Sequence, residues 1–246
     1  FMATKKTSPN NKISEITPSF TKKPVIWPYI LGLFLVAIIP YLPVIFSSAH
    51  LWEDAVQLEF PYRYFSRISL LQFSFPHWDP YTFNGMPFFA TLLPGVLYPF
   101  NVIMTFFPSN ISVFWYLLEI MIILHFFFAG VSMFLFLRHR NFSPLACFFG
   151  AAGYSLCGFF VLHIVHPMMF RILAWLPLVV LFLEKAFRKK RFVFAIISGL
   201  ILGFSTLAGH PQITFFEFLF LGSYSLYLWL DTNYKKHQLL LFPAIM

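Results

Sequence analysis

Residues 111–140 read ISVFWYLLEIMIILHFFFAGVSMFLFLRHR. The apolar run 111–137 exceeds the roughly 20 residues that a helix needs to cross a bilayer core, and it stops at the basic triplet Arg138-His139-Arg140. An apolar helix of that length closed by a charge cluster is the signature of a membrane span. Working outward, the same pattern recurs. On the N-terminal side, Lys22 and Lys23 abut an uncharged run at 25–47 that carries Pro28, Pro40 and Pro43. Prolines there predict bends near both ends. On the C-terminal side, runs at 142–165, 168–187, 192–208 and 212–230 follow, and another begins at 239. The fold class is therefore all-α, a polytopic transmembrane helix bundle. Residues 1–24, rich in Ser, Thr, Pro and Lys, read as a disordered basic tail, and 25–246 as the transmembrane domain. The chain begins with Phe1 before Met2 and ends inside an apolar run, from which we expect a piece of a longer protein, truncated at its C-terminus.

Composition agrees. Hydrophobic residues make up 59% of the 246 and charged residues 11%, too little charge to cover the surface of a water-soluble domain. The net charge of +8 forms no single patch, which argues against a nucleic-acid partner and makes membrane lipids the surroundings. The basic residues instead report topology. With the N-terminus in the cytoplasm, Lys5, Lys6, Lys12, Lys22, Lys23, Arg138, Arg140, Lys185, the run Arg188-Lys189-Lys190-Arg191, Lys235 and Lys236 all lie inside, and only Arg63, Arg67 and Arg171 of the 17 Lys and Arg lie outside. That distribution fits a multi-pass membrane protein with its N-terminus in the cytoplasm. Cys147 and Cys157 are about 15 Å apart along a helix, too far for a disulfide, and read as packing residues. Gly199 and Gly203 form a GxxxG pair, expected at a close helix contact.

Residues 48–110 form a long outer loop. Glu59, Arg63 and Arg67 fall on one helical face opposite Leu, Phe and Tyr, the pattern of a juxtamembrane helix lying on the bilayer surface. The segment 92–107, apolar but broken by prolines, suits a re-entrant path. The same topology gathers Glu53, Asp54, Gln57, Asp79, Asn84, His163, His166, Arg171, His210 and Gln212 at the outer side, while the inner loops hold little beyond Lys and Arg. An outward-facing site follows. A carboxylate at 53 or 54 can act as general base or be merely solvated. His163 and His166, three apart on one helical face, could ligate a metal or simply be hydrogen-bonded. Arg171, near the positive end of its helix, suits a phosphate or a lipid headgroup. Glu119, His125 and Glu217 lie within spans; Glu119 and Glu217, about 10 Å below the outer surface, either floor an outer cavity or bridge helices.

The stretch 76–90, PHWDPYTFNGMPFFA, followed by LYPFN at 97–101, resembles the signature of the bacterial YfhO membrane protein family. Asp54-Ala-Val-Gln57 is similar to that family's acidic loop motif, and Gly209-His-Pro-Gln212 to its later outer-loop motif. The resemblance covers about residues 25–246, although members of that family are much longer. It implies a GT-C type glycosyltransferase: a sugar is taken from a polyprenyl-phosphate carrier and given to an extracytoplasmic acceptor, with an acidic residue of the first outer loop as base. By position that residue is Asp54, with Glu53 second. Arg171, assisted by His210, would stabilise the leaving phosphate. Gln57, Asp79, Asn84 and Gln212 would orient sugar hydroxyls, with Glu119 and Glu217 lining the floor. No cofactor is required by this reading, and a divalent cation stays open. A transporter or flippase using Glu119, His125 and Glu217, and a non-catalytic truncated protein, are the alternatives.

Overall fold

The computed structural model describes residues 25–107 and 110–231. The tail at 1–24 and the start of a span at 239 lie outside the described residues. The described chain is built from helices joined by turns. α1 (Trp27–Ile38) opens with Pro28 in its first turn, passes through a 3-10 turn at Ile39–Tyr41 and finishes as α2 (Leu42–Ile45). Pro40 and Pro43 sit in these short pieces, where their missing N–H groups are least harmful. The outer segment holds a π-helical turn at Ala55–Glu59, α3 (Phe60–Leu71), a 3-10 turn at Phe89–Thr91 and α4 (Pro99–Thr105). The bundle then continues with α5 (Ile111–His139), α6 (Pro144–Ser155), α7 (Gly158–Leu162), α8 (Pro167–Lys189), α9 (Phe192–Thr206) and α10 (Pro211–Leu230).

Local signals set these limits. The Asn110 side chain caps α5 by accepting from the Ser112 and Val113 N–H groups, and basic Arg138 and His139 close its other end. Ser143 and Pro144 start α6, Pro167 starts α8, and His210 with Pro211 starts α10. Lys190, at φ 51°, ends α8 in the left-handed region.

Five of the described helical stretches are long and apolar enough to cross a membrane: Trp27–Ile45, Ile111–His139, Pro144–Leu162, Pro167–Lys189 and Pro211–Leu230. α9 is shorter, at 15 residues. α5 and α8 are the most enclosed of the five. Ile122, Phe126 and Ala129 of α5 pack on Phe160 of α7 and on Phe170 and Ala174 of α8. Further along α8, Val179, Leu183 and Phe187 pack on Ala195 and Leu202 of α9 and on Leu221 and Leu228 of α10. At the basic end of the bundle the buried Glu184 carboxylate receives Arg140 at 3.0 Å and the Tyr224 hydroxyl, so α5, α8 and α10 are clasped together.

Several sequence expectations are corrected. The 142–165 run is not one helix: it breaks after Ser155 into α6 and α7 and ends at Leu162, so His163 and His166 stand in the turn before α8 rather than on a helical face. No such correction applies to the segment 92–107, which runs as a turn followed by α4, packed on α3 and α5. Gly199 and Gly203 have no neighbour within 4 Å of where a Cβ would stand among the described residues, so they do not mediate a close helix contact there. The largest correction concerns α3. Its polar face is turned into the bundle: Glu59, Arg63 and Arg67 are all buried, while Leu71 is exposed. The cause lies in α8, where Arg171 is fully buried and needs a counterion, which Glu59 supplies at the entry to α3.

Candidate functional site

The outer segment is held over the ends of α5 and α8 by charge. Glu59, the last residue of the π-helical turn, sits between Arg63 at 2.9 Å and Arg171, which donates its Nη1 N–H to the same Oε1 atom. Burial alone would raise the Glu59 carboxyl pKa, but the charges and hydrogen bonds of Arg171 and Arg63 outweigh it and hold the group at about 2. Burial pushes Arg63 down from its ordinary value, against the opposing pull of Glu59. Two guanidinium groups face one carboxylate, so one positive charge stays uncompensated within this triad. Arg63 Nη1 and Arg171 Nε and Nη2 have no protein acceptor among the described residues. Arg67 donates to the Phe107 carbonyl at 2.7 Å.

A second buried chain adjoins the triad. Trp175 Nε1–H donates to the Tyr98 hydroxyl at 3.0 Å, and that hydroxyl meets His125 Nε2 at 2.8 Å. His125 Nδ1 lies 2.7 Å from the Met121 carbonyl, an acceptor only, so in a neutral imidazole the proton is on Nδ1 and Tyr98 donates to Nε2. Burial pushes the Tyr98 phenol up to about 12, so it remains a hydroxyl.

Asp54 begins the π-helical turn, one third exposed, with its Oδ2 at 3.2 Å from His166 Nε2. Glu53 precedes it at φ 55°, in the left-handed region that a non-glycine residue rarely takes. Its carbonyl accepts from the Val56 and Gln57 N–H groups at 2.9 Å each, which turns the chain into the helical turn. The Glu53 side chain is exposed. Gln57 and Asp79 line one cavity of about 510 Å³, together with Tyr62, Tyr81 and Thr82. Burial raises the Tyr62 pKa, and the charges of Asp79 and Asp54 raise it further. Tyr62 thus stands within the field of both carboxylates, while Asp54 itself is not among the residues that line the cavity and precedes Gln57 of its wall by three positions.

The other expected residues are distributed as follows. Asp79 also organises its own turn: its carboxylate accepts from Tyr81 N–H at 2.8 Å and from the Thr82 hydroxyl at 2.6 Å, while its backbone pairs with Met86. Asn84, at φ 59°, is exposed at the tip of that turn. His210 caps α10 through Nδ1 and is held below its ordinary pKa by burial and by the nearby His163 and His166. Gln212 is exposed in the first turn of α10. Glu119 and Glu217 do not meet at a common floor. Glu119 accepts from Leu51 N–H and faces His50, whereas Glu217 accepts from the Ser205 hydroxyl at 2.7 Å and joins α10 to α9. Arg171 is fully enclosed, not at a headgroup surface. Among the described residues, no group of three or more His, Cys, Asp or Glu is arranged to hold a metal ion.

Glu59, Tyr98 and Trp175 are members of this region that the sequence reading does not reach. For Glu59 a signal exists: it stands four residues before Arg63, and Arg171 is an isolated cation in need of a partner. Tyr98 stands in the LYPFN stretch at 97–101, but neither it nor Trp175 carries a chemical signal of its own, because an aromatic residue among many reads as packing.

No curated protein and no solved structure matches the chain. The profile of one family does match, over residues 85–245, a stretch that starts at the Gly85 turn and takes in every helix from α4 onward and the Gly209-His-Pro-Gln212 turn. On the strength of that match over more than half its length, together with its five apolar helices of spanning length, the chain is a multi-pass membrane protein that belongs to the family described as bacterial membrane protein YfhO.

Proposed function

We propose that this protein is a GT-C type glycosyltransferase of the bacterial cytoplasmic membrane, moving a sugar from a polyprenyl-phosphate carrier to an extracytoplasmic acceptor. The observation that carries the reading is the setting of Asp54: a partly exposed carboxylate, 3.2 Å from His166, whose charge reaches Tyr62 on the wall of the cavity that Gln57 and Asp79 also line. A base must be accessible, oriented and near a pocket that carries polar groups for the substrate. Asp54 is partly exposed, faces His166 and lies three positions before Gln57 of the cavity wall, whereas the exposed Glu53 uses its backbone in the turn and has no ion-pair or hydrogen-bond partner among the described residues to orient its carboxylate.

In this mechanism the acceptor hydroxyl enters the cavity and gives its proton to Asp54. Its oxygen forms a bond to the anomeric carbon as the bond from that carbon to the phosphate oxygen breaks, and the electron pair leaves with the lipid phosphate. Gln57 and Asp79 hold sugar hydroxyls, and the exposed Asn84 and Gln212 offer further polar contacts. The uncompensated positive charge of the Arg63–Arg171–Glu59 triad lies beneath, where its field favours the charge that develops on the phosphate. His210 lends a hydrogen-bond donor at the same end. The same reading puts the N-terminus in the cytoplasm; the gathering of Arg140 and Arg188 around Glu184, far from Asp54, supports it through the positive-inside rule.

The test is transfer of radiolabelled sugar from a polyprenyl-phosphate donor in membranes. The chain and an Asp54→Asn variant are compared at equal folded amounts. Loss of at least about a hundredfold in the variant is expected of a missing general base. Unchanged transfer by the variant would remove Asp54 from the chemistry, and uptake of an intact lipid-linked sugar without transfer would favour a flippase.

A further inference from the structure

Asp54 is carried on a segment with little secondary structure ahead of it, so something must fix its position. Residues 46–49 form turns and bends, 50–52 have no regular structure, and the helical turn begins only at Asp54 and Ala55. Two contacts hold this segment to α5. Leu51 is buried among core residues that include Phe114 and Leu118. The second contact is polar and deeper. Glu119, fully buried on α5, accepts the Leu51 backbone N–H on Oε1 at 2.7 Å, and its Oε2 lies 3.1 Å from His50 Nδ1. Both oxygens of a buried carboxylate are thus committed to two consecutive residues of the outer segment.

From this geometry we infer that Glu119 is a positioning residue: by accepting the Leu51 N–H and facing His50, it sets where the Asp54 carboxylate stands relative to the cavity. The inference rests on the reading of Asp54 given above. Asp54 follows Leu51 by only three positions and is held on its other side by the fully buried Ala55 and by Glu59 of the triad, so the freedom left to it lies in the stretch 50–53. With Leu51 pinned as well, that freedom shrinks to what the left-handed turn at Glu53 allows. Glu119 does not line the cavity of Gln57 and Asp79, and its carboxylate is bonded to His50 and Leu51 rather than to Asp54, so it acts through the backbone. A displacement of about 1 Å in a catalytic group can cost about a hundredfold in rate.

The chemistry separates two substitutions. Glu119→Gln retains a side-chain oxygen for the Leu51 N–H, and its amide N–H can donate to a neutral His50. Glu119→Ala leaves the Leu51 N–H buried without an acceptor. The experiment measures kcat and KM for the polyprenyl-phosphate donor in wild type, Asp54→Asn, Glu119→Ala and Glu119→Gln. Alongside, a Leu51→Cys reporter in a background with Cys147→Ala and Cys157→Ala is tested for protection from a membrane-impermeant maleimide. We expect Glu119→Ala to lower kcat at least about tenfold with KM within about twofold, and Glu119→Gln to recover most of the loss. The Leu51→Cys thiol should be protected when Glu119 is intact and in the Glu119→Gln variant, and labelled severalfold faster in the Glu119→Ala variant. If Glu119→Ala keeps wild-type kcat while Asp54→Asn loses it, the inference fails and the reading of Asp54 stands. If Asp54→Asn also keeps full activity, that reading falls, and the positioning role with it. Equal protection of Leu51→Cys in all three backgrounds would overturn the anchor whatever the kinetics.

Discussion

Arg171 Nη1 donates to Glu59 Oε1 across 112 positions of sequence, joining the first turns of α8 to the outer segment inside a region from which both side chains exclude solvent completely. Because Arg63 shares the same carboxylate, the two partners are not equivalent. Replacing Arg171 with Met leaves one anion facing one cation. Replacing Glu59 with Gln leaves two buried cations and no anion. Breaking a buried pair costs about 3–5 kcal/mol when an uncompensated charge remains. Glu59→Gln should therefore be the more damaging change, and Glu59→Gln with Arg171→Met should be milder than Glu59→Gln alone. Thermal unfolding of the detergent-solubilised variants checks the order; a larger loss in Arg171→Met than in Glu59→Gln would contradict it.

The same carboxylate makes the outer segment sensitive to acid. Glu59 is held at about 2 in the folded chain, below its ordinary 4.5. A lowered folded-state pKa means that the stabilisation is complete above 4.5, shrinks as pH falls below it and is lost by about 2. Protection of the outer segment against an externally added, acid-active protease should accordingly decline between those values. In Arg171→Met, where one of the two cations that lower the pKa is gone, the folded-state value moves toward 4.5, so the decline should be shallower and end at a higher pH.

How far the sequence foretells this architecture depends on the kind of signal. Spans are legible because lipid demands long uninterrupted apolar runs, and the ends of α5, α8 and α10 coincide with Asn110, Arg138, Pro167 and His210. The break between α6 and α7 is hidden, since Ser155-Leu156-Cys157 interrupts neither hydrophobicity nor helix propensity strongly. The direction in which α3 faces misleads for a different reason. Polar residues on an amphipathic helix normally meet water, and only the buried Arg171, on a helix more than a hundred residues away, reverses the preference. Asp54 is legible as a carboxylate in the outer loop, but its partner His166 belongs to a turn that the continuous apolar run at 142–165 conceals.

Two glycines show why the loop motifs need the residues they have. Gly85 has φ 113°, and a Cβ there would stand 2.6 Å from Trp78 Cζ2. Gly209 has φ 99°, and a Cβ there would stand 2.5 Å from the Leu92 carbonyl oxygen and 2.9 Å from that of Leu93. In the first case an indole ring must move. In the second the obstacle is backbone, and the turns at 92–95 and 207–209 would be driven apart. Both alanine variants carry the left-handed penalty, so Gly209→Ala should destabilise more than Gly85→Ala. Melting temperatures would decide, and the reverse order would mean that the Trp78 ring is the less yielding neighbour.

The His166 contact predicts a role distinct from that of the base. His166 Nε2 lies 3.2 Å from Asp54 Oδ2, with both side chains about one third exposed. A contact of that exposure contributes little to stability, so His166→Ala should melt within a degree or two of wild type. Without its partner, however, the Asp54 carboxylate is free to rotate, and we expect kcat to fall by about tenfold, less than the loss in Asp54→Asn. His166→Ala in an Asp54→Asn background should then add almost nothing, because the residue to be oriented is already disabled. A full multiplicative loss in the double variant would show that His166 acts independently of Asp54.

α9 poses the sharpest question of topology. Its 15 residues rise about 22 Å, less than the roughly 30 Å of a bilayer core, and it falls below the length of the five longer spans. Yet it must cross. Its start follows the basic end of α8, where Arg188 lies near Glu184, while its end leads into Gly209, whose backbone abuts Leu92 and Leu93 of the outer segment. The two ends of α9 thus stand at opposite ends of the bundle. A crossing α9 would draw the remaining height from the turn at 207–209, the short link at 190–191 and local thinning of the bilayer. In a background lacking Cys147 and Cys157, Lys189→Cys and Gln212→Cys should label from opposite sides of the membrane: Gln212→Cys in intact cells with an impermeant maleimide, Lys189→Cys only after permeabilisation. Labelling of both from one side would make α9 a hairpin arm rather than a span and would move His210 and Gln212 away from Asp54.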